Sequence, residues 1–426
     1  MNQAPTAKKN AVAPIVILGS LFFIFGFVTW LNGTLIPYLK IACELKTSLQ
    51  SLLVAFAFYI SYFFTALPMS WVLRRTGYKR GMMFGLGIMA IGALVFIPAA
   101  LTRTYGLFLT GLFVIGTGLS LLQTASNPYI TLLGDLQSAA VRISIMGICN
   151  KVAGVLAPLV LGALVLSDAD QLTKEMQTLQ GDARMLRLDE LAHRAIIPYT
   201  CMAVVLVGLA VFIRYSGLPE LEDEKFSSGS EKDPAAIKKE SVFAYPNLIL
   251  GVIAIFVYVG VEVIAGDTIA IYGQSIGIPL SQAKTFTAYT LSAMVIGYLI
   301  GIATIPKFIR QEKALAISCV VGILFSLLIQ FTNGYASVLF IALLGLANAL
   351  MWPAIWPLAI EGLGRFTKIG SALLIMGIAG GALMPLLYGK LADISSIGHQ
   401  HAYLVLLPCY AFILYYAWKG HRYRSW

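Results

Sequence analysis

Charge is what this sequence has least of. Only 12% of its 426 residues are Asp, Glu, Lys or Arg, about half the share of a soluble globular protein. With 58% of residues hydrophobic, that shortage excludes a soluble multidomain enzyme and a disordered chain. Cysteine is also scarce. Cys43, Cys149, Cys201, Cys319 and Cys409 are odd in number and share no metal-ligand spacing, which excludes a disulfide scaffold and a zinc motif and leaves small core residues. The four histidines, His193, His399, His401 and His421, fall in loops or tails. No catalytic constellation forms inside the apolar stretches, so no enzyme activity and no cofactor are expected. A formal charge of +10 would suit nucleic acid, but the basic residues sit in short loops between apolar runs. That is the membrane pattern, and no nucleic-acid partner is expected.

Long apolar runs are what the sequence has in abundance. A membrane helix needs about 20 mostly apolar residues. Twelve runs qualify, at about 13–38, 48–73, 81–101, 105–133, 141–166, 196–216, 246–275, 283–308, 313–331, 335–361, 368–393 and 401–420. The first is too long, and too closely followed by the second, for a cleaved signal peptide. With the N-terminus inside, 20 basic residues face the cytoplasm and 8 face outward, so both termini are expected to be cytoplasmic and the protein to lie in the cell inner membrane. Residues 167–195 read as a polar outer loop. Residues 217–244, with Glu220, Glu222, Asp223, Glu224 and the Ser227-Ser-Gly-Ser230 stretch, read as a flexible inner linker. The expectation is an all-α membrane protein of twelve transmembrane helices in two pseudo-symmetric six-helix bundles, residues 1–216 and 245–426.

The halves repeat. Gly154-Val-Leu-Ala-Pro158-Leu-Val-Leu-Gly162 matches Gly381-Ala-Leu-Met-Pro385-Leu-Leu-Tyr-Gly389, and Gln123 stands before Pro128 as Asn348 stands before Pro353. Parallel six-helix halves with a substrate site between them near the midplane are a known transporter plan.

These residues resemble the major facilitator superfamily, and within it the fucose/glucose/galactose permease family. The resemblance rests on Phe25-Gly-Phe-Val-Thr-Trp-Leu-Asn-Gly-Thr-Leu-Ile-Pro37, Gln123-Thr-Ala-Ser-Asn-Pro128, Tyr258-Val-Gly-Val-Glu262, Trp352-Pro-Ala-Ile-Trp-Pro-Leu-Ala-Ile360 and Gly380-Gly-Ala-Leu-Met-Pro385. The stretch Arg74-Arg-Thr-Gly77-Tyr-Lys-Arg80 resembles the superfamily's gating loop, with Arg74 where an Asp is usual. The resemblance implies the major facilitator fold, a monomer, and a monosaccharide substrate: glucose, galactose, mannose or an N-acetylhexosamine.

Polar residues at membrane depth mark the candidate site, because they are costly there. Glu262 lies about 24 Å along run 7 and Lys151 about 15 Å into run 5, near the bilayer centre. Asp267 follows Glu262 by five residues and shares its face only if the helix breaks, which Gly260 and Gly266 would permit. Glu361 and Asp393 sit at helix ends and read as solvated. Asn32, Gln123, Asn127, Asn150 and Asn348 carry both donors and acceptors, as sugar hydroxyls require; Asn127, beside Pro128, reads as structural. Trp30, Trp352, Trp356, Tyr258 and Tyr289 offer flat faces for a pyranose ring. The expected substrate contacts are Asn32, Gln123, Asn150, Lys151, Tyr258, Glu262, Asn348 and Trp352.

Coupling departs from the resemblance. The fucose-permease branch carries carboxylates where this chain has Gly33 and Gln123, so those positions cannot move a proton here. Sodium is therefore the favoured co-transported cation, held by Glu262 or Asp267 with Thr268, carbonyls around Gly266 or amide oxygens. A proton on Glu262 is the alternative. The expected function is sugar import by cation symport; a facilitative uniporter, or an exporter of another small solute on the same fold, are the alternatives.

Overall fold

The computed structural model describes residues 12–132, 139–216, 218, 241–305 and 307–423. Among them are twelve helices long and apolar enough to cross a membrane, and no strand. Spans 1 to 6 are Pro14–Ala42, Ser48–Leu73, Arg75–Thr102, Tyr105–Asn127, Arg142–Val165 and Ile196–Tyr215. Spans 7 to 12 are Pro246–Asp267, Leu280–Thr304, Gln311–Phe331, Tyr335–Ile360, Ile369–Ala392 and Gly398–Arg422. Large apolar side chains such as Phe64, Leu101, Ile197, Val204 and Phe331 are exposed on the outer surface, where lipid tails suit them. Most of the expected linker, residues 219–240, lies outside the described residues.

Glycine sets close helix approaches in both halves. A Cβ at Gly26 in span 1 would sit 1.8 Å from the Asn150 carbonyl oxygen of span 5, and one at Gly380 in span 11 would sit 1.7 Å from the Phe256 oxygen of span 7. Spans 1 and 5 therefore touch, and so do spans 7 and 11. Spans 2 and 3 meet in a tight reversal at Gly77, with φ 77° and ψ 170°, a conformation open to glycine alone. In this expected gating loop Lys79 Nζ donates to the Ser216 carbonyl at 2.7 Å; the Arg74 side chain lies outside the described residues.

Several spans are interrupted. In span 10, helix Tyr335–Asn348 gives way to Met351–Ile360. Pro353 has no N–H for the Ala349 carbonyl four residues back, which explains the break. Span 1 is interrupted at Leu31, between Val12–Trp30 and Asn32–Ala42. Span 7 runs unbroken from Pro246 to Asp267 and bends at Thr268, whose hydroxyl donates to the Ile264 carbonyl at 2.6 Å. Such a back-bond bends helices.

The end opposite the termini differs from expectation. Residues 167–195 are not a loop: they fold into helices Ala169–Thr178 and Gly181–His193. Asp168 joins them to the bundle, accepting from Arg187 at 2.6 Å and Arg194 at 2.5 and 2.9 Å, and the Arg194 guanidinium, then Arg187, hold its carboxyl well below the usual carboxylate range. At the same end the halves are stitched together. Asp393 is not simply solvated: its carboxylate caps span 2, accepting from the Ser48 and Leu49 N–H groups at 2.9 and 3.0 Å. Lys284 donates to the Leu166 carbonyl at 2.6 Å, and Asp170 accepts from the Ser281 N–H at 3.1 Å.

Candidate functional site

Between the halves lies a cavity of about 120 Å³. Spans 1, 2, 4 and 5 contribute Phe22, Phe25, Trp30, Tyr59, Tyr62, Gln123, Asn127, Asn150 and Lys151; spans 7, 8 and 10 contribute Tyr258, Glu262, Tyr298 and Trp352. The lining is aromatic, with three amides and one pair of opposite charges.

That pair is the centre of the site. Lys151 Nζ meets Glu262 Oε1 at 2.6 Å, joining span 5 of the first half to span 7 of the second, and both residues are buried. Neither charge could stay in an apolar bundle alone, and each is the other's partner. The Lys151 ammonium also lies 4.5 Å from the centroid of the Trp30 ring, within cation–π reach. Around it, Gln123 Nε2 donates to the Tyr62 hydroxyl at 3.2 Å and Asn150 Nδ2 to the Phe22 carbonyl at 3.4 Å. Trp352 stacks on Trp356 with centroids 5.3 Å apart and 27° between planes, which fixes the indole facing the cavity.

The structure brings Gln123, Asn150, Lys151, Tyr258, Glu262 and Trp352 together, and places Asn32, Asn348, Asp267 and Thr268 elsewhere. Asn348 would share a face with Trp352 in an unbroken helix, but the break between them turns it to span 12, where its Oδ1 accepts from the Tyr410 hydroxyl at 2.8 Å. Asn32 lies beyond the interruption at Leu31, buried and outside the cavity lining. Glu262 and Asp267 stand about 140° apart on an unbroken helix, because Gly260 and Gly266 serve close contact with Met384 and Trp30 instead of a break. Tyr289 is exposed on span 8, and Trp356 backs Trp352 rather than lining the cavity. Asn127, read as structural, lines the cavity.

Several of the oxygens expected to hold sodium are engaged in hydrogen bonds. The Thr268 hydroxyl is engaged by Ile264 and by the Tyr403 hydroxyl at 2.8 Å. The carbonyls of Gly266 and Ala265 accept from Thr287 at 2.7 Å and Thr290 at 3.2 Å. Among the described residues, both oxygens of the Asp267 carboxylate and the Asn32 amide oxygen have no hydrogen-bond partner.

Tyr59, Tyr62 and Tyr298 are lining residues that sequence reasoning missed. Their signal was a hydroxyl within an apolar run; Tyr59 and Tyr62, three apart, share one helical face.

The sequence pattern of the Major Facilitator Superfamily matches residues 18–387. The chain is 35% identical over 420 residues to a glucose/galactose transporter of Brucella abortus biovar 1 (strain 9-941), covering 98% of this chain and 96% of that one. It is 27% identical over 424 residues to the L-fucose-proton symporter of Escherichia coli (strain K12), covering 98% and 94%. Among solved structures, a Major Facilitator Superfamily transporter, FucP, in the outward conformation matches with a TM-score of 0.74 at 27% identity, covering 96% of this chain and 98% of that one.

Proposed function

The chain belongs to the Major Facilitator Superfamily, and from that premise we propose that it imports a monosaccharide of the glucose, galactose or mannose type by cation symport, through alternating access of the cavity between its halves. It is a multi-pass membrane transporter and not an enzyme. The observation that carries the sugar reading is the lining itself. Gln123, Asn127 and Asn150 provide neutral donors and acceptors beside the flat faces of Trp30, Tyr258 and Trp352. A pyranose has a ring of hydroxyls and an apolar C–H face, and needs both. A relative 35% identical over nearly the whole chain carries glucose and galactose by name.

The ion pair gives the site its mechanical role. Lys151 and Glu262 come from opposite halves, so their contact favours the arrangement in which the halves are closed together at the far end. Sugar hydroxyls reaching the same charged atoms replace part of that contact and link occupancy to closure. By the distribution of basic residues the far end is extracytoplasmic and both termini are cytoplasmic, in the inner membrane. The linker at 217–244 joins the two bundles, and the chain acts as a monomer.

The test is uptake of labelled D-glucose, D-galactose and D-mannose into proteoliposomes under an imposed sodium gradient, an imposed pH gradient, or neither. Accumulation under one gradient supports symport. Equilibration without accumulation under any gradient would make the protein a uniporter, and no hexose uptake would refute the sugar reading.

A further inference from the structure

Asp267 lies outside the cavity, wholly buried at the last turn of span 7, and neither carboxylate oxygen has a hydrogen-bond partner among the described residues. Span 1 lies against this turn. A Cβ at Gly266 would sit 2.4 Å from the Trp30 ring, and one at Gly33 would sit 2.3 Å from the hydroxyl of Thr287, which itself donates to the Gly266 carbonyl. The polar atoms span 1 brings here are also unpaired: both amide atoms of Asn32 and the Trp30 indole nitrogen have no hydrogen-bond partner among the described residues. Trp30 is a shared wall. One part of its ring system carries the Lys151 ammonium in the cavity, and its six-membered ring presses on the turn that holds Asp267.

The titratable groups around Asp267 can be named. Glu262, five residues back on the same helix, and Tyr59 of span 2 are within electrostatic reach. Span 8 presents Thr287 and Thr290, and Tyr403 of span 12 is tied to Thr268. The nearby cation, Lys151, is paired with Glu262. A carboxylate anion kept from water, donors and cations is strongly disfavoured, whereas a carboxylic acid is not. A sodium ion needs several oxygens, and of those near Asp267 the Thr268 hydroxyl and the Gly266 and Ala265 carbonyls are already engaged. A proton needs only the carboxyl.

Resting on the symport reading above, we propose that Asp267 carries the coupling proton. The carboxyl takes the proton from the far side when the contacts of Asp393, Asp170 and Lys284 open. It stays neutral while those contacts seal it, as here. It returns the proton to the cavity when Trp30 moves off Gly266. The carboxylate leaves Gly33 and Gln123 no coupling role, and places it on span 7 instead of spans 1 and 4.

The experiment compares wild type, Asp267→Asn and Asp267→Glu in proteoliposomes. It measures accumulation of labelled D-galactose under a one-unit pH gradient, counterflow of the same sugar without a gradient, and sugar-evoked proton entry with a trapped pH dye. One proton per sugar supports at most about tenfold accumulation from one pH unit. The expected result is that wild type accumulates, Asp267→Asn falls to equilibration with no proton entry while counterflow persists, and Asp267→Glu recovers accumulation. Accumulation and proton entry intact in Asp267→Asn would overturn the assignment. So would wild-type accumulation driven by sodium at fixed pH, or loss of counterflow in both variants, which would make Asp267 structural. Absent counterflow in wild type is a different result, and overturns the sugar reading itself.

Discussion

Replacing Lys151 with Met removes an ammonium of known partners while keeping an unbranched side chain of similar length. Glu262 then loses its 2.6 Å contact and remains buried, with Tyr258 and Trp352 beside it in the cavity. Breaking a buried pair by removing one partner costs about 3–5 kcal/mol. The pair lines a cavity rather than solid core, so the lower end applies, about 3 kcal/mol, or roughly a hundredfold in the folded-to-unfolded ratio. The Trp30 contact adds about 1 kcal/mol at such a site. Thermal unfolding in detergent, read for Lys151→Met, Glu262→Gln and the double variant, tests this as a cycle. Each single variant is expected to lower the melting temperature and abolish transport, and the double variant to regain most of the stability but not the transport. Single effects that are small and add in the double variant would show that the pair holds nothing together.

Other substitutions separate cavity residues from their neighbours. Gln123→Ala and Asn150→Ala are each expected to weaken hexose binding about tenfold or more by calorimetry with the fold intact, because one hydrogen bond and its desolvated partner are worth about 1–3 kcal/mol. Asn348→Ala is expected to leave affinity unchanged and to lower thermal stability by about 1–2 kcal/mol, through the orphaned Tyr410 hydroxyl. Gly380→Ala places a methyl 1.7 Å from the Phe256 carbonyl oxygen and is expected to destabilise by about 1–3 kcal/mol, read as reduced yield of monodisperse protein.

The fold was legible because membrane spans are written in composition: twelve runs of about 20 apolar residues leave little choice of architecture. Gln123, Asn150, Lys151 and Glu262 were legible for the same reason, since a polar side chain at that depth must find a partner. What could not be read was direction. A break of two residues before Pro353 turned Asn348 from the cavity to span 12, and the continuity of span 7 through two glycines kept Asp267 away from Glu262. Residues 167–195 were misread as a loop because their stability comes from the Asp168, Arg187 and Arg194 network, whose pairing no local pattern displays.

Hexose counterflow tests the central claim most directly, because it needs neither a gradient nor the coupling residue. Proteoliposomes loaded with unlabelled D-galactose or D-glucose are diluted into trace labelled sugar, and the label is followed with time. A transient overshoot of label inside, abolished by Lys151→Met and retained in Asn348→Ala, is the predicted result. No overshoot with any hexose in a folded, reconstituted protein would contradict a sugar carrier built on this cavity.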